Sequence, residues 1–124
     1  MHSAGDILVV DDDEPTATFI AEALSDEGYT VRTALFAAEA RAALIAQRPE
    51  LVLLDLHLPG KTGDILVQDL KDDGLVHIPI VMMTADAKAA RELSMDGIAC
   101  CLIKPFDLDD LVECVAKHIR RADA

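Results

Sequence analysis

Residues 51–60 read Leu51-Val52-Leu53-Leu54-Asp55-Leu56-His57-Leu58-Pro59-Gly60, an apolar run that meets one carboxylate and then turn-forming residues. A short apolar run bounded by turn signals is the pattern of a strand buried on both faces, and such strands belong to parallel sheets covered by helices. Three other stretches repeat it: Leu8-Val9-Val10 runs into Asp11, Val81-Met82-Met83 into Thr84, and Leu102-Ile103 into Lys104. Parallel strands share one carboxyl edge, and in open α/β sheets the binding crevice lies outside that edge. Carboxylates, a hydroxyl and an ammonium are therefore expected around one small pocket.

Helical patterns fill the intervals between these strands. After a first strand at Ile7 to Asp11, Pro15 suits an early helical position, Ala17, Ile20, Ala21 and Leu24 share one face, and Gly28 stops the helix. Tyr29 to Ala34 alternates as a half-buried edge strand does, and Ala37 to Gln47 is alanine-rich enough for a second helix. The third strand, Leu51 to Asp55, is followed by a loop shaped by Pro59, Gly60 and Gly63 and by a helix marked by Ile65, Leu66 and Leu70 that ends before Gly74. Strand four is expected at Ile80 to Met83, helix four at Lys88 to Asp96, strand five at Ala99 to Ile103, and helix five at Leu108 to Arg120. The last helix places Leu111, Val115 and Ile119 on one side and Lys117, Arg120 and Arg121 near its carboxyl end, where cations suit the dipole. Five βα units with right-handed crossovers predict an α/β, flavodoxin-like (βα)5 doubly wound fold with a five-stranded parallel sheet of order 2-1-3-4-5.

The 124 residues fit one domain, expected over 1–124 with residues 1–5 and 122–124 as flexible ends. A hydrophobic content of 52% excludes a disordered chain, and no apolar run approaches the roughly 20 residues of a membrane span. Met1 to Gly5 lacks a basic region followed by an apolar core, so no secretory signal is read and a cytoplasmic location is expected. The net charge of −12 argues against direct binding to nucleic acid or an anionic membrane and points to proteins or cations as partners. Cys100 and Cys101 are adjacent and so point to opposite faces of a strand, which suits neither a disulfide nor a metal knuckle; with Cys114 they read as buried, reduced thiols.

In the proposed strand order, Asp11 and Asp12 lie beside Asp55. Two carboxylates about 4 Å apart repel by roughly 4 kcal/mol at an effective dielectric near 20, so the cluster needs a cation or a shared proton. Oxygen-only ligands favour Mg²⁺. With Lys104 as a second positive charge and Thr84 as a hydroxyl donor, the set suits stabilising a phosphoryl group in transfer, with Asp55 as the natural acceptor. Asp13 and Glu14 read as solvated residues at a helix amino end.

Over nearly its whole length the sequence resembles the receiver (response regulatory) domain of two-component response regulators. The resemblance rests on residues 7–15 with their acidic pair, residues 51–60 with the phosphoacceptor, residues 79–85 with Thr84, and residues 102–106 with Lys104. It implies a phosphorelay signalling domain rather than an enzyme in the ordinary sense, one that promotes its own phosphorylation and slow dephosphorylation. By resemblance, Asp55 accepts a phosphoryl group from a histidine kinase or histidine phosphotransfer protein, and a downstream protein target responds. Asp12, Asp55 and the main-chain carbonyl of His57 hold Mg²⁺, Asp11 holds it through water, and Thr84 and Lys104 contact the phosphoryl oxygens. The side chains of His57 and Asp86 occupy places that tune phosphoryl lifetime. Gly63 and Gly97 match the family's loop and turn glycines, with backbone freedom as the expected reason.

Two departures bear on output. The family usually has Tyr or Phe three residues before the lysine, as a partner to Thr84 in switching; Cys101 stands there, so the expected route is a backbone shift after strand four, or a smaller response. The interval from Thr84 to Lys104 is also slightly short, in or before helix four, so an interface on that helix is not carried over. Two alternatives compete. Asp11-Asp12-Asp13 contains the Asp-x-Asp of haloacid-dehalogenase phosphatases, although Pro15 replaces the expected Thr or Val; a flavin module would need a phosphate cradle where the first loop is acidic. The chain reads as either a stand-alone receiver or part of a longer regulator or hybrid kinase.

Overall fold

Burial on both faces governs the sheet. The computed structural model describes residues 5–74, 78–94 and 97–119. Its elements alternate as β1 (Asp6–Val10), α1 (Glu14–Asp26), β2 (Thr30–Ala34), α2 (Ala37–Ala46), β3 (Leu51–Asp55), α3 (Gly63–Asp72), β4 (Ile80–Thr84), α4 (Ala87–Glu92), β5 (Cys100–Ile103) and α5 (Leu108–His118). All strand pairings are parallel and the order is β2-β1-β3-β4-β5, as expected. Every residue of β1, β3 and β4 is buried. The edge strands differ. Only Ala34 of β2 is buried, and β5 is partly buried with Ile103 exposed, because among the described residues β5 is the outer strand of the sheet.

Alternate residues feed two cores. Ile7, Val9, Leu51, Leu53, Val81 and Met83 pack with Ala17, Ile20 and Leu24 of α1 and Leu111 and Val115 of α5. Leu8, Val10, Val52, Leu54, Ile80 and Met82 pack with α2, α3 and the short α4 on the other face. Each fully buried aliphatic side chain stabilises by about 1.5–3 kcal/mol, so two such layers define the register of the central strands.

Several expected details change. On α3 the buried positions are Gly63, Leu66, Val67 and Leu70, spaced i, i+3, i+4 and i+7, while Ile65 is half exposed. Helix four ends at Glu92, because Leu93 turns extended and no residue of the helix is buried to hold a further turn; Asp96 lies outside the described residues. Helix five ends at His118, with Arg120 and Arg121 outside the described residues. The first strand begins at Asp6, one residue early, because Arg32 of β2 and the Gln47 amide satisfy the buried Asp6 carboxylate at 2.8–3.4 Å. Gly5, expected in a flexible end, is buried, and its carbonyl accepts from the Thr30 amide at 2.9 Å. Residues 1–4 and 122–124 lie outside the described residues.

Candidate functional site

The carboxyl ends of β1, β3, β4 and β5 meet at one edge of the sheet. Asp11 follows β1 directly and is held there by its amide, which donates to the Ala34 carbonyl at 3.1 Å. Asp55 closes β3 in register with Met83, and the next amide, of Leu56, donates to the Met83 carbonyl at 2.8 Å. Asp11 is wholly buried and Asp55 nearly so, while Asp12 is exposed. One oxygen from each of the three carboxylates lies within 4.8 Å of the others.

Lys104 reconciles these charges. Its Nζ donates to Oδ2 of Asp11 at 2.7 Å and to Oδ2 of Asp55 at 3.0 Å. The backbone amide of Lys104 donates to the Thr84 carbonyl at 2.8 Å, which fixes the lysine at the sheet edge. The remaining oxygens are held by main-chain amides: Asp13 N–H to Oδ1 of Asp11 at 2.9 Å, and His57 N–H to Oδ1 of Asp55 at 2.8 Å. Burial raises the Asp11 carboxyl above its ordinary value; the Lys104 and Asp13 hydrogen bonds oppose this, and the Asp55 charge adds to it. Burial works against the Lys104 ammonium, but the hydrogen bonds and charges of Asp11 and Asp55 together outweigh it, so its net displacement is upward.

The other expected residues sit nearby in distinct roles. Thr84 is fully buried, and its hydroxyl accepts from the Asp86 amide at 3.0 Å. The Asp86 carboxylate is turned to the start of α4, where it accepts from the Lys88 and Ala89 amides at 3.0 and 3.1 Å. The His57 side chain is exposed beside the acceptor. Cys101 is half-buried, pairs with Met82 across β4 and β5, and packs on the sheet face covered by α3 and α4. Asp13 caps α1 by accepting from the amide and hydroxyl of Thr16, so the second aspartate of the Asp-x-Asp pattern serves the helix and not the pocket.

Gly63 revises an expectation. Its φ is not among the positive values found at Gly60 and Gly97; instead, a Cβ at Gly63 would lie 2.7 Å from the Asp55 carbonyl oxygen and 3.0 Å from Cα of Leu56. Closeness to the acceptor strand, and not backbone freedom, demands glycine there. Two aromatics carried no expected role in the sequence, Phe19 and Phe106, the latter lying within the 102–106 stretch. Phe19 and Phe106 line an apolar cleft with Ile20, Ala85, Lys104 and Pro105 beside the pocket. Phe19 lies off the buried stripe of α1 and is 57% exposed, and that misfit with the helical period was the available signal.

An all-oxygen donor set of this size suits Mg²⁺, whose octahedral ligands at about 2.1 Å stand about 3–4.2 Å apart. Among the described residues, no helix is long and apolar enough to cross a membrane.

Known proteins resemble this chain in sequence and fold. A family model described as the response regulator receiver domain matches residues 7–116. The phosphate regulon transcriptional regulatory protein PhoB of Pseudomonas aeruginosa is 38% identical over 120 residues, covering 93% of this chain and 52% of that regulator, so the chain spans about half the length of that relative. The crystal structure of the receiver domain of NtrX from Brucella abortus superposes with a TM-score of 0.83 at 34% identity, over 91% of this chain and 97% of that one. The response regulator TrrA of Thermotoga maritima, solved in complex with Mg²⁺ and BeF, gives 0.83 at 30% identity, over 92% and 98%.

Proposed function

The chain belongs to the response regulator receiver family, whose members are phosphoacceptor signalling domains, and from that membership we propose that its own acceptor is Asp55. The observation that carries this is the Lys104 ammonium shared between Asp11 and Asp55. A carboxylate oxygen of Asp55 attacks phosphorus, the phosphorus–nitrogen bond of a donor phosphohistidine breaks, and the imidazole nitrogen leaves with the electron pair. Asp55 gives up its charge to the new acyl bond while the phosphoryl group brings more, so Lys104 exchanges its carboxylate partner for a phosphoryl oxygen. Thr84 offers its hydroxyl from the end of the adjacent strand.

Asp11, Asp12, Asp55 and the carbonyl of His57 would hold Mg²⁺, with Asp11 acting through water. When bound, the ion neutralises charge on the phosphoryl oxygens. The TrrA complex with Mg²⁺ and BeF supports the same occupancy here. The donor is a histidine kinase or histidine phosphotransfer protein, the recipient of the signal is a downstream protein, and a cytoplasmic location is part of the same proposal. Residues 1–124 act as one receiver unit. Cys101 moves the switch away from an aromatic rotamer toward the backbone after β4. The exposed His57 side chain tunes the lifetime of the phosphoryl group more than Asp86, whose carboxylate caps α4.

Borohydride trapping of the acyl phosphate followed by peptide mass spectrometry locates the modified residue. Reduction at Asp55 is expected; reduction at Asp11 would return the Asp-x-Asp phosphatase reading.

A further inference from the structure

At the far end of β5 from the acidic pocket, three metal-ligating side chains converge outside the phosphoryl chemistry. Cys100 opens β5 and packs with the core beneath α5. Cys114 and His118 lie one turn apart on α5, so their side chains share a face. The sulfurs of Cys100 and Cys114 are 3.4 Å apart, and one donor atom from each of the three residues lies within 4.8 Å of the others. Cys114 is buried while Cys100 and His118 are half-buried, and Asp110 and Glu113 line the same cavity.

We propose that Cys100, Cys114 and His118 form a second metal site, selective for a thiophilic divalent cation of the Zn²⁺ class. Two thiolates at about 2.3 Å from a tetrahedral ion stand about 3.8 Å apart, within a few tenths of an ångström of the distance between these sulfurs. A disulfide would instead draw them to about 2.05 Å. A bound cation displaces the thiol protons, so coordination by both cysteines as thiolates releases two protons per ion. Three protein ligands leave one position for water or a carboxylate, and the cavity, whose charged lining is Asp110, Glu113 and Lys117 beside His118, gives the ion a way in.

The site is separate from the acidic pocket. Lys104 is four residues beyond Cys100, about 13 Å along an extended chain. Donor chemistry separates them too, since soft thiolate and imidazole ligands select zinc where carboxylates select magnesium. An ion held here pins the start of β5, next to Cys101, to the last turn of α5.

Titration of the reduced full chain with Co²⁺ in excess Mg²⁺ tests the proposal. One equivalent is expected to bind with a thiolate-to-cobalt charge-transfer band and tetrahedral visible bands, both bleached by Zn²⁺. Cys100→Ser and His118→Ala, at half-buried positions, should each weaken binding at least about tenfold; Cys114→Ser should do the same where the buried substitution folds. Absence of the thiolate band, or a band of undiminished strength in both Cys100→Ser and His118→Ala, overturns the site.

Discussion

At the scale of single residues, Lys104 is the cation that the two buried carboxylates Asp11 and Asp55 share. Removing it leaves Asp11, which is wholly buried, without its cation and beside a second carboxylate. Breaking a buried pair in this way typically costs about 3–5 kcal/mol. Lys104→Ala should therefore lower the denaturation midpoint sharply without Mg²⁺ and much less with it, as the ion takes over the charge; a loss indifferent to Mg²⁺ would speak against that role. Asp13 acts differently. Its hydrogen bonds to the Thr16 hydroxyl and amide hold its carboxyl below the ordinary value of 3.8. A lowered folded value means stability that is present above the unfolded pKa and lost as the pH falls through the folded one. Asp13→Ala should consequently be less stable than the wild type at neutral pH, and the gap should close in acid below the carboxylate range. A gap that persists there would assign the effect to packing.

Among the elements, β3 and α3 carry the acceptor together. Gly63 lets the first turn of α3 lie against the backbone at Asp55 and Leu56. A methyl group there must push the helix or the strand away, at a cost of about 1–3 kcal/mol. Gly63→Ala should reduce stability and also slow phosphorylation, while Gly74→Ala, strained at φ +79 but with no atom within 4 Å of an added Cβ, should affect stability alone. Equal phosphorylation rates in the two variants would deny that the close approach positions the acceptor. The role of Gly63 was hidden in the sequence because a glycine in a loop advertises a turn, and its contact is with the end of β3, at Asp55, and the residue after it. Helix four was overestimated for a related reason: Ala89, Ala90 and Leu93 continue a helical pattern, but only the Asp86 cap supports the start and no buried side chain anchors the end.

Across the whole molecule, the strands that decide the topology were legible because β1, β3 and β4 are buried on both faces and read as uninterrupted apolar runs. The polar residues at their ends were legible as a group because parallel strands bring those ends to one edge. The edge strands were less so: β5 carries the same kind of run although its outer side is open. The proximity of Cys100 and Cys114 was hidden, since the residues are 14 apart on different elements and meet only when α5 folds back over β5. Phe19 and Phe106 came together over a longer span, across the cleft beside Lys104.

Asp55 is expected to take a phosphoryl group in a Mg²⁺-dependent reaction. Intact-mass measurement after incubation with acetyl phosphate, with Mg²⁺ or with a chelator, on the wild type and on Asp55→Asn, tests it directly. One added phosphoryl group is expected on the wild type with Mg²⁺, and none with chelator or after the substitution. Incorporation that survives Asp55→Asn would contradict it.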